Sequence, residues 1–180
     1  MKNAILVILL TITAALQLHA QNQQIYSFKI DSVAGNNKID FNAFRGKKIL
    51  IVNTASADSN FNVQFKELMQ LYQIYYEKLI IIVVPTNSFN TEPGTNQQIA
   101  ARYNQTFKYK FPVTQKLQVM GNQIHPLFKW LSTRAENNVA DYEVRKPFYK
   151  YLIGADGKLI ASYSEMLSPM NSIIQNAINR

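Results

Sequence analysis

Two continuous apolar segments joined by an amphipathic one constrain the fold of this chain most. Residues 48–53 (Lys-Ile-Leu-Ile-Val-Asn) and 79–84 (Leu-Ile-Ile-Ile-Val-Val) are short and rich in β-branched side chains, which predicts strands buried on both faces. Between them, large apolar side chains recur at the spacings of one helix face: Phe61, Phe65, Leu68, Tyr72 and Tyr75. A strand, a helix and a second strand within about 40 residues predict a parallel pair with a crossover helix.

The segments around this unit carry weaker signals. Residues 25–30 alternate in polarity and predict a strand, for which residues 38–41 would be a short partner. Residues 96–103 predict a short helix capped by Asn96 or Thr95, and residues 127–131 predict another.

The C-terminal part of the chain predicts a hairpin and a last helix. Residues 148–153 and 158–163 flank Gly-Ala-Asp-Gly at 154–157, which predicts two antiparallel strands around a tight turn. Ser168 and Pro169 predict the start of a helix that carries three isoleucines. A βαβ unit followed by a hairpin and a helix is the order of the thioredoxin fold. We therefore expect an α/β protein with a thioredoxin-like fold, its central mixed β-sheet flanked by helices.

The N-terminus has the pattern of a secretory signal peptide. Lys2 precedes an apolar run at 4–16, and small Ala20 stands just before Gln21, as a cleavage site requires. The pattern predicts a signal peptide at 1–20 and one domain at 21–180, exported to a periplasm or secreted. The run is short for a membrane span, which takes about 20 apolar residues, so we expect no stable membrane anchor after cleavage. An uncleaved N-terminal anchor is the open alternative.

Composition excludes several classes of function. The chain has no cysteine, which excludes disulfides, thiolate metal sites and cysteine-based catalysis. Of its two histidines, His19 belongs to the predicted signal peptide and His125 stands alone, so we expect no metal, no cofactor and no Ser-His-Asp triad. The formal net charge is +8, but the lysines are scattered, which favours solvated faces over nucleic-acid binding.

Three ordered sequence blocks carry a resemblance to a known family. Residues 87–94 read Asn-Ser-Phe-Asn-Thr-Glu-Pro-Gly, residues 51–56 read Ile-Val-Asn-Thr-Ala-Ser, and residues 125–131 read His-Pro-Leu-Phe-Lys-Trp-Leu. They resemble the Asn-Gln-Phe-Gly-x-Gln-Glu-Pro-Gly, Val-Asn-x-Ala-Ser and His-Pro-Leu-Tyr-Lys-Trp-Leu blocks of glutathione peroxidases. The first is one residue shorter here, between Phe89 and Glu92. The resemblance runs from about residue 25 to the end.

The resemblance also locates the family's four catalytic positions, and all four are changed. The peroxidatic cysteine or selenocysteine corresponds to Asp58, and the family's glutamine to Ser88. Its tryptophan corresponds to Lys146 and its asparagine to Pro147. We call these four residues the tetrad positions. A carboxylate is a poor nucleophile toward peroxide and has no reversible counterpart of a sulfenic acid, and a resolving cysteine is absent too.

The resulting expectation is an exported glutathione-peroxidase-like protein, inactive as a thiol peroxidase, that acts as a binding or accessory protein at the former active-site face. Its partner would be an unknown protein or small ligand. The alternative is a glutathione-peroxidase-type oxidoreductase in the response to oxidative stress by an unrecognised route. A structural role at the cell surface is compatible with the sequence, but no sequence feature favours it. A minor alternative is a site rebuilt from Asp58, Ser56, Ser59, Ser88 and Lys146, in which a serine–lysine pair acts as nucleophile and base.

The segments around residues 125–147 give three local expectations. If the family's backbone is kept, Lys146 would lie within salt-bridge reach of Asp58, or else point to solvent, and the Lys146–Pro147 bond would be cis. His125 is expected to flank the start of a helix rather than to act in catalysis. Tetrameric relatives carry an extra loop before the strand that follows the tryptophan. Here only residues 132–145 occupy that region, which predicts a monomer.

Overall fold

The structure, a computed structural model, describes residues 25–35, 37–108 and 110–180. The predicted signal peptide at 1–20 lies outside the described residues. Within the described ranges, no helix has the length and apolar character needed to cross a membrane.

A four-stranded mixed sheet organises the domain. Its order is β4-β3-β5-β6, with β3 at Lys48–Thr54, β4 at Leu79–Pro85, β5 at Lys150–Ile153 and β6 at Leu159–Tyr163. Strands β3 and β4 pair in parallel, as the sequence predicts, and β5 runs antiparallel to both β3 and β6. The crossover from β3 to β4 is helix α1, Phe61–Tyr75. The predicted parallel pair, the C-terminal hairpin and the mixed sheet are confirmed.

The remaining elements flank this sheet. A small antiparallel pair precedes it, and short helices follow β4 and β6. They are β1 (Lys29–Asp31), β2 (Lys38–Asp40), α2 (Asn96–Phe107), α3 (Pro126–Ser132), α4 (Arg134–Asn137) and α5 (Ser172–Asn179), with 3-10 turns at Ile25–Ser27 and Phe41–Phe44.

Apolar side chains cover both faces of the sheet. Along β3, Ile49 and Ile51 contribute to one core cluster, whereas Leu50 and Val52 contribute to the other. Helix α3 packs on the first face, and α1, α2 and α5 pack on the second. Successive side chains of a strand point to opposite faces, so a strand covered on both sides must be apolar throughout.

The N-terminal segment departs from the predicted strand. Residues 25–27 form a 3-10 turn, and only Lys29–Asp31 form a strand. Ile25 and Tyr26 are both buried, which an alternating strand does not permit, and the Tyr26 hydroxyl donates to the Ala155 carbonyl at 2.8 Å. A distant contact with the hairpin turn therefore decides the local conformation.

The start of the last helix also differs from the prediction. Helix α5 begins at Ser172, where the Asn171 carboxamide oxygen accepts from the Ile173 amide at 2.9 Å. Ser168 instead donates to Glu67 of α1 at 2.7 Å and accepts from the Met170 amide. The Ser-Pro pair thus forms a turn that fastens the chain to α1, four residues before the helix.

His125 caps helix α3, in agreement with the structural role predicted for it. Its Nδ1 accepts from the Leu127 amide at 3.2 Å, which requires that nitrogen to be unprotonated. Partial burial lowers the pKa of His125 below its usual 6.5. Because the folded state resists protonation of His125, the cap contributes its full unfolding free energy above the pKa that His125 has in the unfolded chain. This contribution is lost as the pH falls through the lower pKa of His125 in the folded protein.

We expect His125→Asn to remove this acid sensitivity, because an asparagine oxygen caps a helix without titrating. Relative to the variant, the unmodified protein should lose about 1 kcal/mol of unfolding free energy between neutral pH and about pH 5. Urea denaturation at the two pH values measures this. A difference between the two proteins that does not change with pH would contradict the capping role.

Candidate functional site

The tetrad positions meet at one edge of the sheet because of how the strands run. The segment after β3 carries Asp58 and the segment after β4 carries Ser88, and parallel strands end at the same edge. Strand β5 is antiparallel to β3, so the residues that precede it, Lys146 and Pro147, reach the same edge. The strand directions therefore bring the segments that carry these four residues to one edge of the sheet.

Asp58 lies in the loop before α1. Its Oδ1 accepts from the Asn60 amide at 2.8 Å, and its carbonyl accepts from the Phe61 amide at 3.1 Å. The helix begins three residues later, with Asn60 as an N-cap that makes no side-chain capping bond. The carboxylate thus stabilises the turn that leads into α1.

Ser88 has no hydrogen-bonding capacity left for a ligand. Its hydroxyl donates to Gln118 Oε1 at 2.8 Å and accepts from Thr86 Oγ1 and the Val119 amide at 3.0 and 3.1 Å. A hydroxyl offers one donor and two acceptor sites, so all three are used. Ser88 fastens the loop after β4 to residues 118–119.

The predicted pair between Lys146 and Asp58 is wrong. Among the ion pairs of the described residues, none within 4.0 Å includes either side chain. Lys146 is exposed, while Asn53 holds its backbone: Asn53 Nδ2 donates to the Lys146 carbonyl at 3.1 Å. The alternative, a lysine that points to solvent, is the one observed.

The predicted cis Lys146–Pro147 bond is wrong as well, since the described residues contain no cis peptide bond. The chain turns into β5 at Phe148 instead, which has φ 70°, in the left-handed region. The Phe148 amide donates to the Asn53 carbonyl at 2.6 Å. Asn53 thus accepts a hydrogen bond from the Phe148 amide and donates one to the Lys146 carbonyl. These two hydrogen bonds and the left-handed Phe148 shape the loop, and no cis proline is needed.

Serine–lysine chemistry also finds no support in the geometry. Among the described residues, no hydrogen bond joins Lys146 Nζ to Ser56, Ser59 or Ser88. Ser56 takes part in a different network, which we call the Glu92 network.

The Glu92 network consists of Thr54, Ser56, Glu92, Arg102 and Tyr103. Glu92 is 1% exposed, and its two oxygens accept from the Ser56 amide and the Ser56 hydroxyl, each at 2.6 Å. Arg102 Nη1 donates to the Ser56 hydroxyl and carbonyl at 2.8 and 3.2 Å. Tyr103 bonds Thr54 at 2.9 Å, and burial above all raises the pKa of its phenol, which keeps it protonated. The network joins the loop after β3 to the loop after β4 and to α2.

Sequence reasoning quoted Glu92 only as part of the Glu-Pro-Gly block and gave Arg102 no role. A glutamate in a loop is usually exposed, and only the fold shows that this one is buried beside Ser56. The signal that could have found it was the block itself, because its acidic residue sits among turn residues in the best-matching segment.

Two cavities adjoin at this network and share Ser56 and Arg102. The larger, about 370 Å³, extends between Ala57, Pro93 and Gln98. The smaller, about 230 Å³, extends toward Asp58, Asn62 and Thr106. Of the tetrad positions, only Asp58 lines either cavity.

A buried lysine beneath the site was missed entirely. Lys150 of β5 is fully buried, and its Nζ donates to the Phe148 carbonyl at 2.8 Å and to the Ser164 carbonyl at 3.5 Å. Burial lowers the pKa of Lys150 to about 8, against a smaller opposing influence of Glu165 and Glu67.

Within the described ranges, no group of three or more His, Cys, Asp or Glu side chains could hold a metal ion.

The mixed sheet and the helices that flank it define a protein with a thioredoxin-like fold. A glutathione peroxidase family model matches residues 25–132. The chain therefore belongs to the glutathione peroxidase family.

Individual relatives agree with this assignment. The chain is 34% identical over 150 residues to "Probable glutathione peroxidase 2" of Arabidopsis thaliana, covering 82% of this chain and 88% of the relative. It is 32% identical over 147 residues to "Glutathione peroxidase homolog BsaA" of Bacillus subtilis, covering 81% and 91%.

Solved structures agree as well. The crystal structure of Trgpx in apo form gives a TM-score of 0.66 at 29% identity, over 88% of this chain and 95% of that one. A thiol:disulfide interchange protein of Chlorobium tepidum gives a TM-score of 0.60 at 15% identity, over 84% and 92%, which shows the shared thioredoxin-like fold alone.

Proposed function

We propose that this chain is an exported member of the family that lacks the thiol peroxidase cycle and acts as a binding or accessory protein through the former active-site face. Export is inferred from the signal-peptide pattern at 1–20. The observation that carries the loss of activity is the absence of cysteine from all 180 residues, because the thiolate is both the nucleophile and the atom that is oxidised.

The contacts of the replaced residues support this proposal. Asp58 stabilises a turn, Ser88 has all its hydrogen-bonding capacity used, and Lys146 faces solvent. None of the three is held as a donor toward a common point where a peroxide oxygen could lie. Electrostatic stabilisation of a transition state requires donors fixed toward the developing charge.

The competing function is a peroxidase-type oxidoreductase that works by another route. It is favoured by the relatives, which are named glutathione peroxidases, and by the retained fold. The two functions differ in a direct assay, because only the second consumes peroxide catalytically.

We expect the protein to consume no hydrogen peroxide or organic hydroperoxide above background with either glutathione or thioredoxin as reductant. A family member that carries the cysteine serves as positive control in the same assay. Catalytic turnover in the unmodified chain would falsify the proposal and establish the competing function.

The variant Asp58→Cys extends this test. It restores the nucleophile but not its surroundings, since all hydrogen-bonding capacity of the Ser88 hydroxyl is used and Lys146 is exposed to solvent. We expect its turnover to stay roughly a hundredfold or more below the positive control, the usual cost of missing transition-state donors. Turnover close to the control would show that the other three tetrad positions matter little.

A further inference from the structure

Two opposite charges line one cavity without neutralising each other. Asp58 and Arg102 both border the cavity of about 230 Å³, together with Ser56, Asn62 and Thr106. No ion pair of the described residues within 4.0 Å includes either of them. Opposite charges attract each other. Asp58 and Arg102 nevertheless stay more than 4.0 Å apart in the same cavity, which leaves a gap between them that a ligand can fill.

Arg102 is held in place from one side only. Its Nη1 donates to the carbonyl and hydroxyl of Ser56, and Ser56 is itself fixed by the buried carboxylate of Glu92. Among the described residues, Nε and Nη2 of Arg102 have no acceptor. A guanidinium carries its donors in a planar fork that suits a carboxylate. Ser56 therefore orients the exposed guanidinium of Arg102 through Nη1 and leaves Nε and Nη2 available to a ligand.

Asp58 is held in a comparable way. Its Oδ1 accepts from the Asn60 amide at 2.8 Å, which holds the carboxylate in the loop before α1. Its Oδ2 has no donor among the described residues. One fixed carboxylate and one fixed guanidinium thus border the cavity, each with hydrogen-bonding capacity unused.

From this arrangement we propose that the cavity binds the zwitterionic head of a free α-amino acid, with its carboxylate on Arg102 and its ammonium on Asp58. The inference rests on the proposed function, since it names the ligand class of the same non-catalytic site. A zwitterion brings both complementary charges and satisfies both residues without adding net charge. A simple anion would face the Asp58 carboxylate, and a simple cation would face Arg102.

The size of the cavity restricts the ligand further. Drug-sized ligands occupy pockets of roughly 300 Å³ or more, and this cavity of about 230 Å³ is smaller. The larger cavity adjoins it at Ser56 and Arg102 and offers Pro93 and Ile99 as apolar neighbours. The ligand is therefore a small amino acid with an uncharged side chain.

Isothermal titration of the full chain with L-alanine tests this inference. We expect saturable binding in the micromolar to millimolar range. Acetate, methylamine and N-acetyl-L-alanine each lack one of the two charges, and each should bind on the order of tenfold to a hundredfold more weakly, the value of one charged hydrogen-bonded contact. If acetate binds as tightly as L-alanine, the cavity is an anion site and the inference is overturned. If methylamine binds as tightly as L-alanine, the cavity is a cation site and the inference is likewise overturned.

Two neutral variants provide the matched test on the protein. Arg102→Gln and Asp58→Asn should each weaken L-alanine binding on the order of tenfold or more. Asparagine retains the oxygen that Asn60 requires, so Asp58→Asn leaves the turn intact. Arg134→Gln, an exposed arginine of α4, is the control and should bind L-alanine unchanged. No detectable L-alanine binding, or binding that both variants leave unchanged, would overturn the inference.

This outcome is separable from that of the peroxide assay. If L-alanine does not bind and peroxide is not consumed, the amino-acid site is wrong while the proposed loss of the thiol cycle stands. If peroxide is consumed, the proposed function is wrong whatever the titration shows.

Discussion

The unmodified protein is expected to gain roughly 2 kcal/mol of unfolding free energy as the pH rises from about 7.5 to about 9.5, and the Lys150→Met variant is expected to lack this gain. The variant keeps an unbranched apolar side chain, shorter by the one atom that is removed, and eliminates the buried ammonium. Methionine adapts well to the shape of a core.

The sign follows from the two pKa values of this lysine. Burial lowers the pKa of Lys150 to about 8 in the folded protein, whereas the ordinary value of 10.5 applies to the unfolded chain. Between these values the unfolded state binds more protons, so stability increases as pH rises through the window. Below about pH 8 the folded protein carries the full cost of the buried charge, on the order of 3 kcal/mol.

Urea denaturation at the two pH values, followed by the fluorescence of the single tryptophan, gives the measurement. Trp130 is 4% exposed, so its emission reports loss of the core. Lys66→Met, on the exposed face of α1, is the control and should leave the pH dependence unchanged. Parallel pH profiles for Lys150→Met and the unmodified protein would contradict the assigned cost of burial.

Replacing Glu92 by alanine is expected to destabilise the protein by about 3 to 5 kcal/mol. The substitution deletes two short hydrogen bonds to a charged acceptor and leaves the Ser56 amide without a partner. The Ser56 hydroxyl, which accepts from Arg102, then has no acceptor of its own and loses its fixed orientation, so the contact that positions Arg102 is weakened. Glu92→Gln should cost less, about 1 to 3 kcal/mol, since it keeps one acceptor oxygen.

The same denaturation experiment, at neutral pH, measures both Glu92 variants. Glu143→Ala is the control, because Glu143 pairs with Arg145 on the surface, where such pairs contribute about 0 to 1 kcal/mol. A loss in Glu92→Ala no greater than in Glu143→Ala would show that the Glu92 network does not stabilise the fold.

The sequence by itself determined the mixed sheet and the family. Residues 48–53 and 79–84 are apolar without interruption, and such strands require cover on both faces, which a crossover helix supplies. The assignment of the four tetrad positions rests on the resemblance alone, while the parallel and antiparallel strands bring the residues at those positions to one edge.

The tertiary structure alone decided what those residues contact. Lys146 and Asp58 were predicted to pair because they carry opposite charges at positions that would lie close together if the family's backbone were kept. Asn53 and the left-handed Phe148 hold the backbone of this loop, and the two side chains form no ion pair within 4.0 Å. Lys150 stands in a segment that predicts a strand, and nothing local to it shows that its amine is buried. Glu92 and Arg102 come together through three separate elements. Contacts between distant segments depend on distances and directions that no local pattern encodes, whereas strand and helix periodicity depends only on neighbours along the chain.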